Sequence, residues 1–254
     1  MKNGFLIRLK NKDAMVITPF QNPKSAVEWD MRERIRWNVS ETPQSGELEK
    51  LDKLTFSQID RGIDRWIQDV KYFPRLFWSA AAFLVIYFAL SFAVRDPIPV
   101  IDEFIAGLAG SAVVWYLLDR KAVKSDASIK RRLEFKQRVS DAEIVLVHSL
   151  AEIEDWMSNL SQKTILALCD SIVRSTEADL ASFEIPASEF VPMLEEYCML
   201  NIPKLMKLVP QILEARKDTD PNVQLSGRLV QAGQKSLDDL VLLALVVKAK
   251  EMTY

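Results

Sequence analysis

The run Leu76–Val94, LFWSAAAFLVIYFALSFAV, decides the reading of this chain. It is free of charge and carries only two serines over a length that matches the roughly 20 apolar residues of a membrane-crossing helix. A second run, Phe104–Leu118, FIAGLAGSAVVWYLL, is shorter, roughly 22 Å as a helix. Residues 98–101 extend it if Asp102 and Glu103 occupy the first turn, where the positive end of the helix dipole favours carboxylates. Between the two runs lies RDPIPVIDEF, Arg95–Phe104, read as a short turn on the far side of a bilayer. A soluble helix normally keeps a polar face, and Leu76–Val94 has none.

Charge sets the expected orientation. Lys71 and Arg75 precede the first run, and Arg120, Lys121, Lys124, Arg131 and Arg132 follow the second. The connecting turn holds Arg95 against Asp96, Asp102 and Glu103. Short loops rich in Lys and Arg stay on the cytoplasmic side, so both termini are expected inside, with two spans in a bacterial inner membrane. The basic residues then form a juxtamembrane anchor for an anionic leaflet. Small residues at helical spacing, Ala89 and Ala93 on one run and Ala106, Gly107, Gly110 and Ser111 on the other, are the expected packing positions of the hairpin.

These features give a mainly α protein: a transmembrane hairpin, a cytosolic helical bundle and a small module containing a β-hairpin. Expected bounds are 1–46 for the module, 47–75 for an amphipathic helix leading to the membrane, 76–118 for the hairpin and 119–254 for the bundle. In the module, GFLIRL and AMVITPF read as paired strands. A helix is expected from Asn22 and Pro23, which would place Arg32, Arg34, Arg36 and Trp37 on a solvated helical face. Ile59, Ile63, Trp66, Val70 and Phe73 mark the stripe of the helix entering the membrane. Beyond the hairpin, Phe135, Val139, Ala142, Leu146, Leu150, Ile153, Met157 and Leu160 follow a heptad-like stripe, read as one helix of a bundle or coiled coil that contains His148. A helix interrupted near Asn201–Pro203 and a last helix over residues 223–251 complete the expected elements.

Little in the sequence carries chemistry. The 33 Lys and Arg nearly balance the 35 Asp and Glu, which argues against nucleic acid as a partner. The two cysteines, Cys169 and Cys198, lack metal-binding spacing, and no glycine-rich phosphate loop is present. The carboxylate pairs Glu154/Asp155, Glu195/Glu196 and Asp238/Asp239 each point about 100° apart on a helix, so no pair converges on one site. No catalytic, cofactor-binding or metal-ligating residue is therefore assigned.

One motif suggests a relationship. In FVPMLEEYCMLNIPKLMKLVPQIL, Pro203 followed by Lys207, Leu208 and Val209 resembles the C-terminal motif of the XpaC family, the 5-bromo-4-chloroindolyl phosphate hydrolysis proteins. Leu200, Asn201 and Ile202 stand where that family has an aromatic-rich segment, and residues before Leu76 lie outside the resemblance. The resemblance implies a membrane-anchored cytosolic helical domain associated with toxic-anion resistance proteins or envelope stress. The leading expectation is thus a membrane-anchored scaffold with the lipid bilayer and a cytosolic protein as partners. Alternatives are a membrane-anchored phosphate-ester hydrolase, resting on the family's label, and a homo-oligomeric pore built from the hairpin.

Overall fold

A computed structural model of the chain describes residues 1–9, 13–29, 32–93, 101–174, 187–216 and 223–251. It is mainly helical, with one mixed four-stranded sheet. The expected hairpin forms: β1 (Lys2–Ile7) pairs antiparallel with β2 (Met15–Ile17), Phe5 opposite Ile17. A 3-10 turn at Pro19–Gln21 follows, capped by the Thr18 hydroxyl and the Gln21 side chain.

The expected helix from Asn22 is only α1 (Pro23–Glu28), started by the Asn22 side chain accepting from the Lys24 amide. Residues Ile35–Val39 instead form β3, parallel to β1, which corrects the reading of a solvated helix face there. Ile35, Trp37 and Val39 alternate inward while Arg34 and Arg36 remain exposed, the period of a strand. Gly4 sits opposite Trp37 in the register, and a Cβ there would collide with the indole ring. The missing side chain makes room for the largest group in that layer.

The heptad-like stripe is likewise not one helix. Within it, Ile144–His148 forms β4, parallel to β3, and His148 lies on that strand. The spacing of Leu146 and Leu150 coincides with a helical stripe, but Ile144, Val145 and Val147 are β-branched and favour an extended chain. The sheet order is β2-β1-β3-β4, so the N-terminal segment and the segment after the apolar runs complete a single sheet.

The connection from β3 to β4 contains the most apolar part of the protein. α2 (Ser45–Ala93) is a single helix of 49 residues, about 73 Å at 1.5 Å per residue. α3 (Ile101–Val123) returns beside it, and α4 (Asp126–Ser140) leads to β4. The turn residues 94–100, expected on the far side of a bilayer, lie outside the described residues.

Each face of the sheet is covered by helices, an arrangement that buries both sides of parallel strands. On one face, Leu6, Val16, Ile35, Trp37 and Val39 pack against Ile59, Ile63 and Ile67 of α2 and Phe135 and Val139 of α4. On the other, Phe5, Ile7 and Ile17 join a bundle that, among the described residues, holds α5 (Ala151–Ser161), α6 (Ile165–Arg174), α7 (Ala187–Asn201), α8 (Pro203–Met206), α9 (Val209–Ala215), α10 (Val223–Lys235) and α11 (Leu237–Glu251). The chain breaks before Pro203, as its sequence suggests. The expected last helix is two: Ser236 separates α10 from α11, and its hydroxyl accepts from the Asp239 amide as a helix cap does. All residues from Leu240 to Val247 are buried, making α11 the centre of the bundle.

Replacing Trp37 with Ala should destabilise the protein by about 3–5 kcal/mol, the cost of truncating a buried aromatic. Gly4→Val should cost about 1–3 kcal/mol by overpacking. Chemical denaturation of the detergent-solubilised chain checks both values.

Candidate functional site

Three places hold the residues that sequence analysis singles out. The first is the hairpin made by the second half of α2 with α3. Both helices are long and apolar enough to cross a membrane, with peak mean hydropathies of 2.0 and 1.5. Their outer faces are uncovered: Phe92 is 83% exposed, Val85 69% and Ile101 74%. Monomeric soluble proteins rarely expose contiguous apolar surface on that scale.

The helices meet through the small residues of α3. Cβ atoms at Gly107 and Gly110 would collide with Phe83 and Ile86 of α2, so glycine sets the closeness of approach. Ala106 and Ser111 are half-buried beside them, whereas Ala89 and Ala93 of α2 are exposed. Phe83 and Phe104 make an edge contact at 5.5 Å, and Tyr72 and Trp115 another at 5.8 Å.

At the base of the hairpin the basic residues divide by role. Arg75, buried just after Pro74, pairs with Asp119 of α3 and donates to the Ile67 carbonyl at 3.3 Å. Arg132 bridges Asp60 and Asp64 of α2, and Lys136 reaches Asp60 at 2.8 Å. Arg131 lies over the Trp66 ring, 4.2 Å from its centre. These groups fasten α4 and α3 to α2. Lys71, Arg120, Lys121 and Lys124 remain exposed around them.

The second place is the carboxyl edge of the parallel strands, where α/β sheets commonly hold ligands. Here the Arg8 amide donates to Glu154 at 2.8 Å, and the Arg8 guanidinium meets Glu47 at 3.2 Å. Ser149 donates to the Asn38 side chain, and Thr42 and His148 touch at 3.2 Å. Burial raises the Glu154 carboxyl, offset in part by hydrogen bonds from Ser40 and the Arg8 amide. Its polar groups satisfy one another, which closes the sheet end as a structural cap.

The third place is a groove of about 810 Å³ between α8–α9 and α10. Ile202, Leu205, Leu208 and Ala232 contribute apolar lining. Lys204 and Lys207 stand on one side, Arg228 and Lys235 on the other, with Asp239 also among the lining groups. The three motif residues Pro203, Lys207 and Leu208 all line it. The motif is legible in the sequence but the groove is not, because Arg228 and Lys235 come from a later helix with no local signature.

The carboxylate pairs are drawn apart. Glu195 takes Lys250 at 2.6 Å, and Glu196 faces Arg65 of α2 at 3.8 Å. Both cysteines are free and buried; burial pushes the Cys169 thiol to about 11 and the Cys198 thiol further up. Neither is a ready nucleophile, since the reactive form is the thiolate.

No family model matches the chain, nor does any curated protein or solved structure.

Two outcomes follow from these ion pairs. Asp119→Ala leaves the buried Arg75 without its carboxylate; with Asp119 itself partly exposed and the Ile67 carbonyl still accepting from Arg75, the cost should be about 1–3 kcal/mol, below that of a fully buried pair. Joint replacement of Arg75 and Asp119 by Leu and Ala should recover much of the loss in a denaturation double-mutant cycle. For Glu196, burial raises the carboxyl from its ordinary 4.5 to about 7, while the Arg65 charge pulls the other way. The folded state then binds the proton more tightly than the unfolded chain. This group's contribution is full below about pH 4.5 and is lost as the pH rises through about 7. Glu196→Gln should therefore flatten the decline in stability between about pH 5 and about pH 8, measured by denaturation at each pH.

Proposed function

We propose that this protein is a membrane-anchored interaction module of the bacterial inner membrane, with two spans and both termini in the cytoplasm. The observation that carries the proposal is the uncovered apolar hairpin growing directly out of a well-packed α/β domain on the same helix, α2. Ile59, Ile63 and Ile67 are gripped by the sheet, while from Leu76 onward the helix presents apolar side chains outward. A domain held this way is displayed at a fixed place on the membrane surface, which suits recruitment of a cytosolic partner.

Supporting the orientation, exposed Lys71, Arg120, Lys121 and Lys124 gather at the end of the hairpin nearest the domain. Such residues gain about 1 kcal/mol each near an anionic leaflet. The resemblance to the XpaC family, carried by Pro203, Lys207 and Leu208 in the sequence, stays part of this proposal. Under it, the partner belongs with toxic-anion or envelope-stress proteins.

A cysteine-accessibility map tests the topology. With Cys169 and Cys198 changed to Ala, single cysteines are placed at Ile98, Gln44 and Gln234. A membrane-impermeant maleimide should label only Ile98→Cys in intact cells and all three after lysis. Recovery of the chain in the soluble fraction, with no labelling before lysis, would overturn the anchor.

A further inference from the structure

We propose that the groove between α8–α9 and α10 docks an acidic, amphipathic segment of a partner protein, a refinement that rests on the membrane-anchored interaction reading. Four cations carry the inference. Lys204, Lys207, Arg228 and Lys235 are all exposed, and none takes an ion pair among the described residues. Several other basic side chains of the domain, such as Arg132, Lys136 and Lys250, are matched to carboxylates. Among the described residues the groove thus gathers four cations with no carboxylate paired to any of them.

Its dimensions select the class of occupant. Arg228 and Lys235 are seven residues apart on one helix, hence on one face and about 10 Å apart along its axis. Lys204 and Lys207 line the facing wall. Charge spread along two walls matches acidic side chains repeated along a chain, whereas a single phosphate needs donors converging on one point. The apolar lining from Ile202, Leu205, Leu208 and Ala232 calls for apolar side chains between those acids. Asp239 supplies a carboxylate that would repel a uniform polyanion but can accept from a peptide N–H or a basic side chain. Asn201, Gln211 and Gln231 add amides able to bond a peptide backbone in either sense. Helix-in-groove docking joins these features, apolar anchors on one face and charges along its flanks.

The test uses the full chain in neutral phosphatidylcholine nanodiscs and, in parallel, in detergent. The probe is a fluorescent helical peptide of about 14 residues with Leu at i, i+3, i+4 and i+7 and Glu at its flanks. A control peptide keeps the Leu positions and replaces Glu with Lys. Anisotropy should show binding of the acidic peptide and at least about tenfold weaker binding of the basic one. The double reversal Lys207→Glu with Arg228→Glu should weaken the acidic peptide by at least about tenfold and strengthen the basic one. The remote reversal Lys24→Glu with Lys50→Glu should leave both unchanged, with folding of every variant checked by circular dichroism. Equal binding of the two peptides, or equal losses from the groove and remote reversals, would overturn the proposal. So would displacement of the acidic peptide by inorganic phosphate or by phosphatidylglycerol vesicles through these same residues, which would reassign the groove to a phosphate ligand. If the chain proves soluble by fractionation, the anchor reading fails while the peptide titration still decides the groove.

Discussion

The structure depends on the rigidity of α2. An α-helix cannot be packed at one end and freely reoriented at the other, so the burial of Ile59, Ile63 and Ile67 against the sheet fixes the direction in which Leu76 to Ala93 must leave the domain. Pro74 removes one hydrogen bond from the helix where it leaves the domain. Beside it, Arg75 and Asp119 tie α2 to α3, and Arg132 with Lys136 ties α4 to α2. Only the Arg75–Asp119 pair sits beside the lost backbone bond; Asp60 and Asp64, which hold Arg132 and Lys136, lie about three to four turns earlier on α2. Removing one partner of a pair whose other member is buried is costly, because the remaining charge is left in the protein interior.

How much of this could be read from the chain varies by element. The stripe on α2 was legible only in part: Ile59 and Ile63 are buried, but the next buried position is Ile67, and Val70 and Phe73, expected on the stripe, are exposed. The two apolar runs and the first β-hairpin were legible from their local pattern. β3 was not, because Ile35, Trp37 and Val39 alternate within a stretch dense in Arg and Glu, where charges at Arg32, Glu33 and Arg34 mimic a solvated helix. Parallel strands need distant partners, and nothing local records that Gly4 lies opposite Trp37. β4 was hidden differently: Leu146 and Leu150 fall at helical spacing from Val139 by coincidence. The β-branched residues of EIVLVH were the available signal.

The groove shows the same division. The break at Pro203 and the cation at Lys207 were visible, since proline cannot continue a hydrogen-bonded helix. The facing wall was not, because α10 is brought beside α8–α9 by packing against α11 and against α6, which is far from it in sequence. The cap at Ser236 is a single hydroxyl within a run otherwise fit for one continuous helix. Binding surfaces assembled from separate helices leave no spacing signature in sequence.

The placement of the apolar runs between β3 and β4 bears on how the chain is made. An ordinary crossover between parallel strands needs a dozen or more residues, whereas here residues 40–143 separate the two. For a chain anchored as proposed, the ribosome must deliver both spans to the bilayer before Ile144 to His148 exists to fill the sheet edge. Until then β3 has an open side, and an unpaired edge invites association with other chains. Completion of the cytosolic sheet thereby reports that the hairpin has gone in and come back. A nascent chain that fails to insert carries an exposed strand edge and two bare apolar helices together, both of which chaperones and proteases recognise.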